Sequence, residues 1–450
     1  MDNLIKMHLC CLLLLLFPGS VLGMDFDLMK RQGAETGPTL LVIGGIQGDE
    51  PGGFNAAALL ATHYQVDSGN LWIVPNLNFA SIIKRSRGIH GDMNRKFDFL
   101  PKSDPEYHLV TEIKSIITDP QVDLVLNLHD GSGFYRTDYI DRLHNPDRWG
   151  QSCIIDQSQL HGATFGALEK IGQKVTSQAN QHLIDPTHHF NLKNTRTRLE
   201  NPAMRQSLTF FAIENNKPAF GIEASKSFRT NVRVYYHLLC LEAYMQEMGI
   251  AFSRDFELSP QGIKEALNTD ILVALNDYKV QLNISDIRNQ LNYVPFKKGA
   301  KVQFKAENPL VAIVPYEDKY RIHYGNNQMS FLRPDYFDYD DSLQSVQVMV
   351  DGHAKEFRLG SVVPVADSFR INTPPGYRVN IIGFTKKGVH NEKGLNVRKE
   401  DIRARYSIDN GGQVFRAEVY RKGKFAGMLL IDFRPPRQKE NLFAMTQKKS

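Results

Sequence analysis

At 450 residues the chain is too long for one ordinary core, and with 42% hydrophobic and 23% charged residues it has the make-up of a folded protein of two or three domains. A formal net charge of +5, with lysine and arginine scattered along the chain, excludes the clustered basic footprint of a nucleic-acid binder. A mildly basic protein of this kind is still drawn to an anionic polymer.

The chain opens on a segment of different composition. Lys6 supplies a positive start, Leu9 to Phe17 (LCCLLLLLF) is a short apolar run, and Val21-Leu22-Gly23 is a small-residue cleavage site. An export signal over residues 1–23, cut after Gly23, is expected, with the periplasm as destination. The run is too short to span a bilayer, and no other stretch reaches the roughly twenty apolar residues of a transmembrane helix. Cys10 and Cys11 leave with the signal. Cys153 and Cys240 remain, and a disulfide and two buried thiols are both consistent with their spacing.

After the signal, Leu40 to Ile43 reads as a buried strand that ends in the turn glycines Gly44 and Gly45. Gly52 to Tyr64 (GGFNAAALLATHY) has the alanine and leucine content of a helix. In a parallel sheet, a turn between strand and helix lies at the carboxyl end of the strand, where ligands bind. Further along, Leu71 to Leu77 reads as a strand, Asp104 to Ile117 as a helix and Val122 to Leu128 as a second buried strand. Helices are predicted over Gln159 to Leu183, Pro202 to Asn215 and Asn231 to Met248, with a strand at Ala219 to Ala224. An α/β domain over residues 24–250 follows, built on a mixed, mainly parallel sheet flanked by helices.

Beyond residue 250 the texture changes to short β-rich runs: Val280 to Ile284, Val302 to Phe304, Leu310 to Val314, Val346 to Val350, Tyr377 to Phe384, Val414 to Tyr420 and Met428 to Phe433. Arg421-Lys422-Gly423-Lys424 makes a hairpin turn. One or two small all-β domains are expected, divided near the acidic segment Asp335 to Asp341 into residues 251–342 and 343–450. This half carries no chemical motif, which favours support, dimerisation or substrate positioning.

Four stretches of the α/β part place reactive or anchoring residues. Gln47 and Glu50 follow the first strand; Gly91-Asp92-Met93-Asn94-Arg95 is preceded by Arg87; His129 follows the strand Val122 to Leu128; and Glu223 interrupts an otherwise apolar strand. A carboxylate within an apolar strand calls for a partner or a task.

The order and spacing of these stretches resemble the zinc metallocarboxypeptidases of the carboxypeptidase A type, over about half the chain. With the export signal, the all-β second half and the glutamine at 47, the chain is most similar to the cell-shape-determining peptidoglycan carboxypeptidases of Helicobacter and Campylobacter. The wider family reads H-x-x-E where this chain reads Gln47-Gly48-Asp49-Glu50. A carboxamide oxygen is a weaker donor to zinc than imidazole nitrogen, although formal charge at the metal is unchanged. The resemblance implies one zinc ion held by Gln47, Glu50 and His129, with the fourth position left to water. It implies that Asp92 accepts a hydrogen bond from the Gln47 amide and so aims the carbonyl oxygen at the metal.

The resemblance also assigns tasks. Glu223 is the general base that passes the water's proton to the leaving amine, and Arg87 stabilises the oxyanion. Asn94 and Arg95 grip the terminal carboxylate of the substrate. Trp149 and Thr209 lie in segments where the subfamily contacts diaminopimelate. The implied activity is removal of terminal meso-diaminopimelate from peptidoglycan muramyl tripeptide, giving the dipeptide and influencing cell shape. Two other readings stay open: an amidoacylase of the aspartoacylase type, which shares the opening motifs but is normally intracellular, and a non-catalytic peptidoglycan-binding protein that lost its metal through Gln47.

Overall fold

The computed structural model of the chain describes residues 19–20, 25–269 and 271–435. The apolar run and the cleavage point expected of the export signal lie outside the described residues. Among the described residues no helix is long and apolar enough to cross a membrane.

Strands with no polar face need cover on both sides, and the central strands here have none to show. Leu40 to Ile43 are fully buried, as is every residue of Leu124–Gly131. They lie in an eight-stranded sheet whose order is Ala251–Arg254, Tyr64–Val74, Glu35–Ile43, Leu124–Gly131, Ala219–Ser225, Ser152–Ile155, Asn191–Asn194, with Met29–Gln32 also pairing to Tyr64–Val74. The four central strands from Tyr64–Val74 to Ala219–Ser225 are parallel. Ser152–Ile155 runs antiparallel to Ala219–Ser225 and parallel to Asn191–Asn194, and Ala251–Arg254 runs antiparallel to Tyr64–Val74. Three strands therefore end side by side at Ile43, Gly131 and Ser225, and the polar residues of the sequence motifs gather at that end.

The first helix, Pro51–His63, starts on proline, whose missing N–H costs nothing at that position. Every residue from Gly52 to Ala61 is buried. Such a helix needs partners all round. Ala57, Leu60 and Ala61 pack into the core of the sheet, whereas Phe54 and Ala58 join a second core made with residues 271 to 430. Phe79 and Ile82, of the helix Phe79–Lys84, also belong to the second core.

Several elements differ from expectation for local reasons. The strand at 71 to 77 is Tyr64–Val74: Pro75 breaks the ladder, and Leu77 and Asn78 instead donate their N–H groups to Gly44 O and Gly45 O. The helix expected over 159 to 183 is confined to Leu168–Ala179, because Leu160 N bonds Gly166 O in a tight loop with Gly162 at φ +83°. The stretch 202 to 215 splits into a 3₁₀ turn, Pro202–Gln206, and a helix, Leu208–Glu214, whose first turn is capped by the Ser207 hydroxyl accepting from Phe210 N. The strands Ser152–Ile155 and Asn191–Asn194 were not foreseen.

After the helix Pro260–Asn268 the described chain forms four-stranded β-sheets. Lys422 and Gly423, both at positive φ, turn the hairpin between Val414–Arg421 and Lys424–Asp432. The mixed α/β sheet followed by small all-β sheets is the expected fold class. Cys153 and Cys240 are buried free thiols.

Candidate active site

The segment after Ile43 is pressed against its neighbours. A β-carbon on Gly48 would lie 2.0 Å from the carbonyl carbon of Ser81, so the backbones of 47–49 and 81–82 touch directly. That close approach turns Gln47 and Glu50 inward, where they are 1% and 4% exposed. His129 sits one strand over, and the parallel register pairs it with Glu223 on the next, so both side chains share a face of the sheet.

Three donor atoms converge. His129 Nδ1 lies 3.1 Å from Gln47 Oε1 and 3.0 Å from Glu50 Oε2. A neutral ring nitrogen satisfies one acceptor at most, whereas a cation between the three atoms satisfies all of them. Tetrahedral zinc, with bonds of about 2.0–2.1 Å, has ligand-to-ligand edges of about 3.3 Å. The donor set therefore fits such an ion. Among the described residues no group of three His, Cys, Asp or Glu side chains is arranged to hold a metal. The third donor here is the Gln47 carboxamide.

The surroundings fix these atoms. Gln47 Nε2 donates to Asp92 Oδ1 at 2.7 Å, and Arg87 Nε donates to Asp92 Oδ2 at 2.9 Å. Burial works against charge on Asp92, but the Gln47 hydrogen bond and the Arg87 guanidinium hold its carboxyl below the usual range. Glu50 Oε2 also accepts from Asp130 N at 3.1 Å, while Oε1 faces Arg87 Nη1 at 3.3 Å and Lys226 Nζ at 3.2 Å. For His129, burial opposes protonation, yet the hydrogen bond and charge of Glu50 raise its pKa.

Glu223 accepts no hydrogen bond from any described residue. Burial, with the Glu50 and Asp130 carboxylates adding to it, pushes its pKa to about 8 against the pull of His129 and Lys226. Its carboxylate faces Gly131, where a β-carbon would lie 2.8 Å from Glu223 Oε2 and 2.5 Å from the carbonyl carbon of Trp149. Trp149 is thus brought to the side of Glu223, its ring under Lys193 Nζ at 4.3 Å.

The Asn94 carboxamide turns inward, with Oδ1 accepting from Leu208 N at 3.0 Å and Nδ2 3.4 Å from His129 Nε2. Arg95, partly exposed, donates to Asn94 O at 2.9 Å. Thr209 follows Leu208 and lies 3.2 Å from the Ser207 hydroxyl. The structure thus gathers Gln47, Glu50, Arg87, Asp92, Asn94, His129 and Glu223, whereas Arg95 is linked to them through Asn94 O, Trp149 through its backbone at Gly131, and Thr209 only through its neighbour Leu208.

Three residues of the site escaped the sequence reading. Lys226, just past the strand of Glu223, bonds Asp49 Oδ2 at 3.1 Å as well as Glu50. Asp130 is buried and accepts from Gly52 N, the Arg233 guanidinium and the His237 ring, tying the first helix to Thr230–Met248. Arg233 and His237 compensate the burial of Asp130 and keep its carboxyl low. A charged residue just past an apolar strand, as at 130 and 226, is the one signal that marks the first two. Lys193 carries no such mark.

A family described as the catalytic domain of carboxypeptidases controlling helical cell shape matches residues 4–268, well over half the chain. The chain belongs to this family. A second match, to the C-terminal domain of metallo-carboxypeptidase, covers residues 339–434. Among solved structures it is similar to the apo form of the cell shape determinant Csd4 of Helicobacter pylori, at 37% identity and a TM-score of 0.84 over 91% of this chain and 100% of that one. The tripeptide-bound form matches equally, at 37%, 0.84, 91% and 100%. The form bound to mDAP, described as a D,L-carboxypeptidase, matches at 37% and 0.84 over 90% and 100%. No curated protein matches. The fold of this cell-shape carboxypeptidase follows that of Csd4 through both the α/β sheet and the β-rich half.

Proposed function

We propose that the chain is an exported, zinc-dependent D,L-carboxypeptidase that acts in the periplasm and removes terminal meso-diaminopimelate from peptidoglycan muramyl tripeptide, leaving the dipeptide. The observation that carries the reading is the placement of Gln47 Oε1 and Glu50 Oε2 at 3.1 and 3.0 Å from His129 Nδ1, beside a carboxylate on the adjoining strand. The tripeptide and mDAP bound by Csd4 support the substrate class.

Gln47, Glu50 and His129 are the zinc ligands. The bound ion supplies an acidified water and polarises the scissile carbonyl. Glu223 accepts the water's proton and returns it to the leaving amine, a task suited to a carboxylate whose proton affinity is raised by burial. Arg87, half exposed at the mouth and held by Asp92 and Glu50, presents its remaining N–H groups to the oxyanion. Arg95 and the Asn94 amide bind the terminal carboxylate, which confines cleavage to the last residue. Asp92 fixes the Gln47 carboxamide. Trp149 and Thr209 flank the diaminopimelate side chain.

The test joins metal analysis to cleavage. Purified protein should hold one zinc per chain, release diaminopimelate from muramyl tripeptide, lose that activity to a chelator and regain it with added zinc. Hydrolysis of N-acyl amino acids instead, or tripeptide binding without turnover at full zinc occupancy, overturns the reading.

A further inference from the structure

Arg85 is left without a role by the mechanism above, although it stands two residues before Arg87. It caps the helix Phe79–Lys84 in the left-handed conformation, at φ 54°. Its side chain leaves the α/β half altogether: Nε donates to Asn326 O at 2.6 Å and Nη2 to Asn327 Oδ1 at 3.4 Å. Both acceptors lie at the turn between the strands Lys319–Tyr324 and Asn327–Phe337. The same turn rests on the first helix. A β-carbon on Gly325 would sit 3.1 Å from Phe54 Cε2, and Gly325 N is fixed by Leu310 O at 2.7 Å. One loop away, Pro309 O accepts from Asn76 Nδ2 at 3.0 Å.

The segment seized this way, 76 to 85, is the one on which the metal motif is moulded. Leu77 and Asn78 bond Gly44 and Gly45, the Ser81 backbone abuts Gly48, and Ser86 N closes onto Ser81 O at 3.1 Å. Immediately beyond it run residues 86 to 92, with Arg87 and Asp92.

We propose that the β-rich turn 324–327 is a working part of the active site, and that Arg85 is the positioning residue through which it holds the loop carrying Arg87 and Asp92. The inference rests on the roles given above to those two residues. It assigns the β-rich half a task in catalysis: it sets where the Arg87 guanidinium stands and, through Asp92, which way the Gln47 oxygen points. The Arg85 side chain is exposed, so its loss removes the tether and leaves the core intact.

The experiment compares full-length wild type, Arg85→Met and, as control, Arg333→Met, which removes an exposed arginine paired with Asp318 in the same sheet. In Arg85→Met, amide exchange over 86–92 should rise about tenfold while Leu124–Gly131 keeps its protection. Zinc transfer to a chelator should quicken several-fold, and kcat on muramyl tripeptide should fall about tenfold with KM within about twofold, as for a loop that only misplaces catalytic groups. Asn327→Ala should show the same pattern more weakly, and Arg333→Met none of it. Unchanged exchange over 86–92 overturns the proposal, as does faster exchange with wild-type kcat and zinc release. In either case an active, zinc-holding wild type leaves the hydrolase reading standing. A wild type that neither holds zinc nor cleaves sinks that reading, and this proposal with it.

Discussion

Gln47 gives its amide nitrogen to Asp92 at 2.7 Å, which leaves its amide oxygen turned toward His129 Nδ1 at 3.1 Å. A carboxamide has no intrinsic preference for presenting oxygen over nitrogen, so the carboxylate on the far side makes the choice. Arg87 keeps that carboxylate charged. Removing it in Asp92→Ala should weaken zinc binding about 10–100-fold, the usual cost of losing the partner that orients a metal ligand. Competition with a chromophoric chelator measures this, and wild-type affinity in the variant would free Asp92 from its role.

The same arrangement bears on the ligand itself. Gln47→His places a stronger nitrogen donor where Asp92 can accept from the ring, so zinc should be held more tightly, by about tenfold or more, with the fold unchanged. Equal metal retention by the two proteins during chelator titration would contradict this.

Glu223 has no hydrogen-bonding task among the described residues, and its substitution tests chemistry with little structural side effect. Glu223→Gln should lower kcat by about 10²–10⁴-fold, the range for a positioned base, and leave tripeptide affinity within a small factor. Calorimetric titration beside single-turnover cleavage separates the two. Undiminished turnover would remove Glu223 from the mechanism.

Stability should depend on His323. Burial, with the Arg321 and Arg85 charges beside it, lowers its pKa from 6.5 to about 4, and neither ring nitrogen has a hydrogen-bond partner among the described residues. The fold therefore holds this ring neutral, and below pH 6.5 the unfolded chain binds a proton that the folded chain refuses. Stability is lost as pH falls from 6.5 towards 4, by up to about 3 kcal/mol, and none of this loss occurs above the upper limit. Denaturant titrations at pH 7 and pH 5 should show a smaller difference for His323→Leu than for wild type. An equal difference would place the acid sensitivity elsewhere.

Much of the α/β half is legible in sequence because its strands are continuous apolar runs and its helices begin and end on recognisable residues. Leu40 to Ile43, Ala219 to Ala224 and the long helix ending at Gly249 are of this kind. Gln47, Glu50, His129 and Glu223 could be picked out because they lie beside or within apolar strands, although His129 stands 82 positions from Gln47, whereas Arg87, Asp92 and Asn94 sit in a loop and a 3₁₀ turn and were marked by the resemblance alone. Lys226 and Asp130 stayed unmarked, since a charged residue past a strand end is ordinary until the fold shows what it faces. In the β-rich half, strands such as His353–Arg358 expose most of their side chains and leave no alternation to read. Nor does an alanine- and leucine-rich helix disclose that its two sides meet different partners, as Phe54 and Leu60 do.

That two-sided helix limits how the molecule can be divided. The family boundary at residue 268 invites excision of a minimal enzyme. A fragment ending there would lay Phe54, Ala58, Phe79 and Ile82 bare, a sticky apolar surface next to the metal motif. Solubility, and with it any practical use of the enzyme as a reagent, belongs to the longer chain.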